Sequence, residues 1–227
     1  MRKIVVFTGA GISAESGLQT FRGTDGLWEG YRIEEVATPE AWQRDPARVQ
    51  HFYNLRRKAC IAAQPNAAHC YLADLAKLED VQIITQNIDD LHERAGSDRV
   101  LHLHGQIRMS QSSLDSKAIY SIAGDTLLMT DCCERGAPLR PHVVWFGEAV
   151  PAMDVAIAMA EGADVFIVIG TSLQVYPAAN LLHYLKSDCT LIFVDPNASN
   201  YSVPAKTVLV EQTAIKSIPY LQNLLAK

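Results

Sequence analysis

The stretch VVFTGAGISAESGLQTFR, residues 5–22, decides the fold. Residues 4–7 are a short β-branched and aromatic run that reads as a buried strand, and they lead into Gly9, Ala10, Gly11, Ile12, Ser13 and Ala14. The expected order is strand, tight glycine turn, helix start. Gly9 is free to supply an unusual backbone angle, Gly11 lets the backbone approach a pyrophosphate, and Ala14 lets the helix sit close on a sheet. The N–H groups at such a helix start favour an anion. Alone, a G-x-G-x-x-A pattern fits a plain turn as often as a nucleotide site; the strand before it weights the second reading. Ser16-Gly17 cuts the helix short, and Glu29, at about the 20-residue distance of a ribose-binding acid, sits in a glycine-rich loop over residues 23–30. Phe21 and Arg22 read either as a cover for a bound ligand or as a core phenylalanine beside a surface arginine.

Outward from that stretch, composition narrows the function classes. The 227 residues are 48% hydrophobic, enough for one large domain or a domain with a smaller insert. A net charge of −5 without any lysine and arginine run gives no footprint for nucleic acid or an acidic membrane, so a protein or small-molecule partner is expected. No apolar run approaches the roughly 20 residues of a membrane span, and the opening MRKIVVFTGAG lacks signal-peptide anatomy, so a cytoplasmic protein is expected; a monomer is expected as a separate reading. Five cysteines without a C-x-x-C pair fit reduced thiols.

Along the chain, Thr38-Pro39 and Asp45-Pro46 each read as cap and first helical residue, and Asn66 caps an amphipathic helix carrying Ala68, Tyr71, Leu72, Leu75 and Leu78. Tyr53 and Arg56 share a helix face and could grip a carboxylate, although the same spacing equally describes a half-buried tyrosine and a solvated arginine. Residues 81–85 form a second strand ending in Gln86, Asn87, Ile88, Asp89 and Asp90. In a parallel sheet ligands bind outside such strand ends. Asp89 fits an N-cap for a helix over 90–95, but three amide or acid side chains exceed what a cap needs. A strand over 99–103 stops at His104, whose residue type suits a base near neutral pH or a structural role. Alternation at 118–122 and 126–129 predicts a short β module; residues 139–146 return to the main domain. A helix over 151–160, strands at 164–169 and 191–194, and a C-terminal helix through Ile215, Ile218, Leu221, Leu224 and Leu225 follow.

The segments GAGISAESGLQTFR (9–22), TQNIDDLHERAGS (85–97), LHLHG (101–105), LRPHVVWFGE (139–148) and GTSLQVYPAA (170–179) resemble, in order, the signature set of the sirtuins, NAD-dependent protein lysine deacylases. The likeness spans nearly the whole chain. It implies an α/β architecture, a Rossmann-type parallel-sheet domain over 1–28, 66–106 and 138–227 with a smaller inserted domain over 29–65 and 107–137. It implies NAD as cofactor and an acylated protein lysine held between the two. On this sequence's own positions, Gly9, Ala10, Gly11, Ser13 and Arg22 resemble the pyrophosphate and cofactor-loop residues. Phe21, Asn87, Ile88 and Asp89 resemble the nicotinamide pocket, and Gln86 the ribose contact. His104 resembles the general base, with Asn87 sharing the catalytic set. Gly170, Thr171, Ser172, Asp195, Asn197 and Ala214 resemble the adenosine side, with Asp195 where the family commonly has asparagine. Val144, Phe146, Gly147, Glu148 and Val175 resemble the edges that pair with substrate backbone. In the family's scheme the acyl oxygen attacks the ribose, nicotinamide leaves, and the base activates a ribose hydroxyl toward the acyl carbon.

Two features set this chain apart. Many sirtuins hold a structural zinc with two cysteine pairs, whereas Met109 and Ser112 stand near the first pair's place and only Cys132 and Cys133 near the second, so no metal is expected. With Ala37 in ATPEAW, Tyr53 and Arg56 resemble the subset whose acyl pocket accepts succinyl and malonyl groups. The competing readings are ADP-ribosyl transfer and a non-catalytic NAD or ADP-ribose binding module; binding alone has no need of a base such as His104.

Overall fold

The computed structural model describes residues 1–19 and 30–226; Phe21, Arg22 and Glu29 lie outside them. Its strands are β1 Lys3–Thr8, β2 Asp80–Thr85, β3 Val100–His102, β4 Gly105–Ser112, β5 Ile119–Ser121, β6 Leu139–Val143, β7 Val165–Ile169, β8 Thr190–Val194 and β9 Val208–Val210. Its helices are α1 Gly11–Ala14, α2 Ile33–Val36, α3 Pro39–Arg44, α4 Pro46–Ala62, α5 Ala67–Leu75, α6 Leu91–Arg94, α7 Met153–Glu161 and α8 Ile218–Leu225. Six strands form a parallel sheet in the order β3-β2-β1-β7-β8-β9, and the other three an antiparallel sheet, β5-β4-β6.

Alternation of side chains along β1 explains why its run is apolar throughout. Ile4 and Val6 face one layer, with Ile83, Ile167 and Ile192 beneath Leu72 of α5 and Leu221 of α8. Val5 and Phe7 face the other, with Ile84, Phe166 and Phe193 against Ala156 and Ala160 of α7. A sheet covered on both faces has no solvent side to mark with polar residues. Each such side chain contributes about 1.5–3 kcal/mol by leaving water. The expected caps form: Thr38, Asp45 and Asn66 accept the N–H groups of Ala41 (3.0 Å), Arg48 (3.0 Å) and Ala68 (2.9 Å). The chain crosses from one side of β1 to the other between β3 and β7, so a crevice opens at the carboxyl ends of β1 and its neighbours.

Five expectations need correction. Gly9 and Gly11 take no left-handed angle; they are small because the two glycine turns interlock. A Cβ on Gly9 would stand 2.6 Å from the Thr171 Cβ, and one on Gly11 2.6 Å from the Gly170 Cα, while the positive angle falls at Gly170, φ +65°. Ala14 is exposed rather than set against the sheet; Ile12 and Ser13 are the buried residues of α1. The helix expected to reach Leu78 ends at Leu75, leaving Leu78 75% exposed. Residues 126–129 are not a strand, because side chains of α4 take their main-chain bonds: Gln50 and Asn54 donate to the Leu127 carbonyl at 3.1 and 3.0 Å, and Asn54 accepts the Leu127 N–H at 3.0 Å. The stretch 139–146, expected back in the parallel-sheet body, first contributes β6 to the small sheet, pairing Leu139 with Ser112 and Val143 with Gly105.

The β module has its own interior of Ile122, Leu127, Cys133, Ala137 and Leu139. Arg57 ties it to α4: wholly buried, its guanidinium donates to the Ile107 carbonyl at 2.7 Å and the Asn54 side chain at 2.5 Å. Burial lowers its pKa to about 10.

Candidate functional site

The carboxyl ends of β1, β2, β7 and β8 open into a cleft of about 620 Å³ that continues toward α4 and the segment after β6. Gln86, Asn87, Ile88, Asp89 and His104 line it together with Gly9, Ala10, Gly11 and Ser13, so strand ends far apart in the chain meet. Its polar floor is one connected network. The Ser13 hydroxyl donates to Asp89 Oδ2 at 3.1 Å and accepts from Asn87 Nδ2 at 3.2 Å, while the same amide donates to the Gly9 carbonyl at 3.1 Å. Both amide hydrogens being engaged, Asn87 keeps Oδ1 as its acceptor. The N-cap position of α6 is Asp90 rather than the expected Asp89, but Asp89 accepts the Leu91 N–H at 3.2 Å and so meets the helix start while taking part in the floor. Burial raises its pKa, against the bonds from Leu91 and Ser13.

The anion-binding expectation at the start of α1 changes. Gly9 N–H donates to Ile169, Gly11 N–H to Gly170, Ile12 N–H to Gly9 and Ser13 N–H to Ala10, so those four donors are engaged within the protein. The turn's contribution is close approach rather than a row of open donors.

His104 stands with Nδ1 3.0 Å from the Gln86 carbonyl. A carbonyl only accepts, so Nδ1 carries the hydrogen and Nε2 the lone pair. Burial lowers the pKa of this ring, partly countered by that carbonyl, and the neutral form suits a base. Gln86 Nε2 donates to Thr171 Oγ1 at 2.8 Å, joining the two strand-end turns across the cleft.

At the other end, Tyr53 and Arg56 line the cleft with Ala37, Trp145 and Phe146. Tyr53 is buried, and its hydroxyl accepts the indole N–H of Trp145 at 3.1 Å. Its own hydrogen is therefore available to a further acceptor, and burial pushes its pKa up, keeping the phenol neutral. Trp145 is fixed by Arg140, whose guanidinium carbon lies 3.9 Å from the ring centroid and which pairs with Glu148 at 2.9 Å. Sequence reading passed over Trp145; its place between Val144 and Phe146 in the quoted motif was the available signal.

Val144, Phe146, Gly147, Glu148 and Val175 all line the cleft, but the segment after Val143 is not a strand. Val144 and Phe146 donate to the His104 and Ala37 carbonyls, at 3.0 Å each. The Glu148 carboxylate is engaged by the Trp145 N–H at 2.8 Å and by Arg140. Gly170, Thr171, Ser172, Asp195, Asn197 and Ala214 line the remaining end, where Asp195 accepts the Asn197 N–H at 2.8 Å. Every proposed site residue within the described residues thus lies on this one cleft.

The pattern that defines the Sir2 family matches residues 9–177. The chain belongs to the Sir2 family. This Sir2 chain is 46% identical over its whole length to an NAD-dependent protein deacylase of Helicobacter pylori (strain ATCC 700392 / 26695), covering 97% of that protein. It is 52% identical over 85% of its length to a protein of the same name from Aggregatibacter actinomycetemcomitans, covering 92% of it. Its fold superposes on the crystal structure of a Sir2 homologue–NAD complex with a TM-score of 0.87 and 40% identity, covering 98% of this chain and 89% of that one. In the β module of this Sir2 chain, Ser112 Oγ donates to Cys133 Sγ at 3.3 Å and Cys132 is exposed. Among the described residues no three His, Cys, Asp or Glu side chains gather to hold a metal ion, and no helix is long and apolar enough to cross a membrane.

Proposed function

We propose that this Sir2 chain removes acyl groups from protein lysines with NAD as co-substrate, and that its pocket takes acidic acyl groups, succinyl and malonyl, as well as acetyl. The observation that carries the reading is that one cleft is lined by His104, whose Nε2 has no hydrogen-bond partner among the described residues, by the Ser13, Asn87 and Asp89 network, and by Tyr53 and Arg56.

The residues present suit the nucleotide. The cleft volume falls in the range of ligand sites, and Gly9, Gly11 and Gly170 are among its lining residues. Asp89 and the Asn87 oxygen are acceptors suited to a carboxamide N–H₂; Gln86 and Thr171 suit ribose hydroxyls, and Asp195, Asn197 and Ala214 the adenosine end. When bound, NAD supplies a glycosidic bond to a cationic nicotinamide, the labile bond that lets the acyl group leave as O-acyl-ADP-ribose. The chain's own part is to exclude water, to align a weakly nucleophilic acyl oxygen, and to take a proton at His104 Nε2. The relatives' shared name, protein deacylase, supports an acylated lysine as partner.

The acidic-acyl reading rests on two donor side chains, Tyr53 and Arg56, that line the same cleft. Arg56 offers a charge-assisted bond and Tyr53 Oη a hydrogen that Trp145 leaves available. Such a bond contributes about 1.5–3 kcal/mol, or about 10- to 150-fold in kcat/KM. The test is mass spectrometry of one lysine peptide carrying either acetyl or succinyl, incubated with NAD and with wild type or Arg56→Met. The expected result is nicotinamide release with both peptides, and a succinyl-to-acetyl ratio that falls by that factor in the variant. An unchanged ratio would remove the carboxylate clamp, and no deacylation of either peptide would remove the enzymatic reading.

A further inference from the structure

Two residues before His104, and outside the cleft, His102 ends β3 with its side chain 5% exposed. Its Nδ1 lies 2.9 Å from the Asn87 carbonyl and its Nε2 2.7 Å from Glu93 Oε1. A carbonyl has no hydrogen to give and neither has a carboxylate, so both contacts are hydrogen bonds only when the ring carries both protons. His104 differs: it meets one carbonyl, that of Gln86, and keeps a lone pair. Consecutive carbonyls at the end of β2 are therefore held by two histidines whose contacts call for different protonation states.

The consequence for the cleft follows from where Asn87 is tied. Its carbonyl is held by His102, its N–H by Thr85 Oγ1 at 3.0 Å, and its amide by Gly9 and Ser13. Two residues on, Asp89 completes the same floor. We propose that His102, as an imidazolium clamped between Glu93 and the Asn87 carbonyl, is a positioning residue that sets Asn87 and Asp89 for the nicotinamide end of NAD. This rests on the proposed role of those two residues.

The groups facing His102 from each side are Glu93 and Asp90 of α6 and the turn before it, Asp89 of the strand-end segment, and Arg108 of β4, which share a small cavity with His102 and Gln106. His92 of α6 and His142 of β6 also face it, and burial keeps both on the neutral side. Burial opposes the charge on His102, but the Glu93 bond and charge, the Asn87 carbonyl and Asp89 outweigh it, and its pKa is raised. Stability of the clamp is thus present below the ordinary histidine value and is lost as pH rises through the raised one. A neutral ring has one N–H and must drop either Glu93 or Asn87.

The experiment is calorimetric titration of NAD, and separately of ADP-ribose, into wild type, Glu93→Gln and His102→Gln between about pH 6 and pH 9. Glu93 lies at the surface end of the pair, its side chain 38% exposed, so its amide variant keeps the fold. In wild type NAD affinity should fall several-fold toward high pH. In Glu93→Gln the fall should begin at least about one pH unit lower, because the carboxylate that favours the charged ring is gone. His102→Gln, which can donate to Asn87 but does not titrate here, should bind NAD more weakly at low pH with no such fall. ADP-ribose, lacking nicotinamide, should bind with the same profile in all three. Identical NAD profiles in wild type and Glu93→Gln would overturn the proposal while leaving the cofactor reading intact. NAD binding to none of the three would overturn both.

Discussion

Acidification should loosen this protein through two histidines that do not line the cleft. His69 of α5 is wholly buried, and its Nδ1 accepts the Asn66 N–H at 3.3 Å, helping to start that helix. Its ring centroid lies 4.9 Å from that of His92, whose Nε2 is 3.0 Å from the Thr8 hydroxyl. His69 Nε2 and His92 Nδ1 have no hydrogen-bond partner among the described residues, so nothing there compensates a charge. Burial holds His69 at about 4 and His92 well below its ordinary value. Both are neutral in either state above about pH 6.5; below it the unfolded chain binds protons that the folded one refuses, so stability falls with pH. At about pH 5 the loss from His69 is about 1.5 units at about 1.4 kcal/mol each, or about 2 kcal/mol. That loss stands against about 5–15 kcal/mol for a typical domain, and His92 adds a further loss of the same sign. Glu79 and Glu211, held below the usual carboxylate range by bonds from Arg2 and Ser199, lose their contributions only at still lower pH. Urea unfolding of wild type and His69→Gln at several pH values between about 7.5 and 5 reads this directly. The variant's free energy should fall less steeply, by about 1.4 kcal/mol per pH unit below 6.5, since it has lost one titrating group. Parallel slopes would refute the argument, whatever the variant's stability at neutral pH.

Two further outcomes follow from the cleft. Gly170→Ala forces a side chain into a left-handed angle with its Cβ 2.5 Å from the Ile12 N, and should destabilise by about 1–3 kcal/mol, lowering Tm by several degrees in a thermal melt; an unchanged Tm would mean the two turns can part without loss. Because burial lowers the pKa of His104, its base form persists below about pH 6.5, and the acid limb of a kcat profile for deacylation should lie under that value; a limb above it would assign the titration to another group.

Particular elements explain how far sequence reading reached. The strands β1, β2, β7 and β8 were legible because a buried parallel strand is apolar along its whole length, and Thr38, Asp45 and Asn66 because a cap bonds within three residues of itself. β9 escaped notice because it is three residues long at the sheet edge and half exposed. Residues 126–129 alternate like a strand, yet their partners are amides of α4 more than 70 positions away, which alternation cannot encode. Within the site, residue types and motifs pointed to the cleft's lining, but Trp145 and His102 act through a partner rather than through the cleft lining alone and left no separate signal.

By itself the sequence determined the parallel-sheet body, the paired glycine turns at strand ends, the helix starts and the family resemblance, all of which depend on local periodicity or short ordered motifs. The tertiary structure decided what those residues do to one another. It set the glycines of 9–11 against Gly170, joined Ser13 to Asn87 and Asp89 across more than 70 positions, gave the Tyr53 hydroxyl to Trp145, and placed one histidine on one acceptor and its neighbour on two. The physical reason is that protonation and hydrogen-bond direction depend on which atoms lie within about 3 Å, and that distance is set by the closed fold rather than by spacing along the chain.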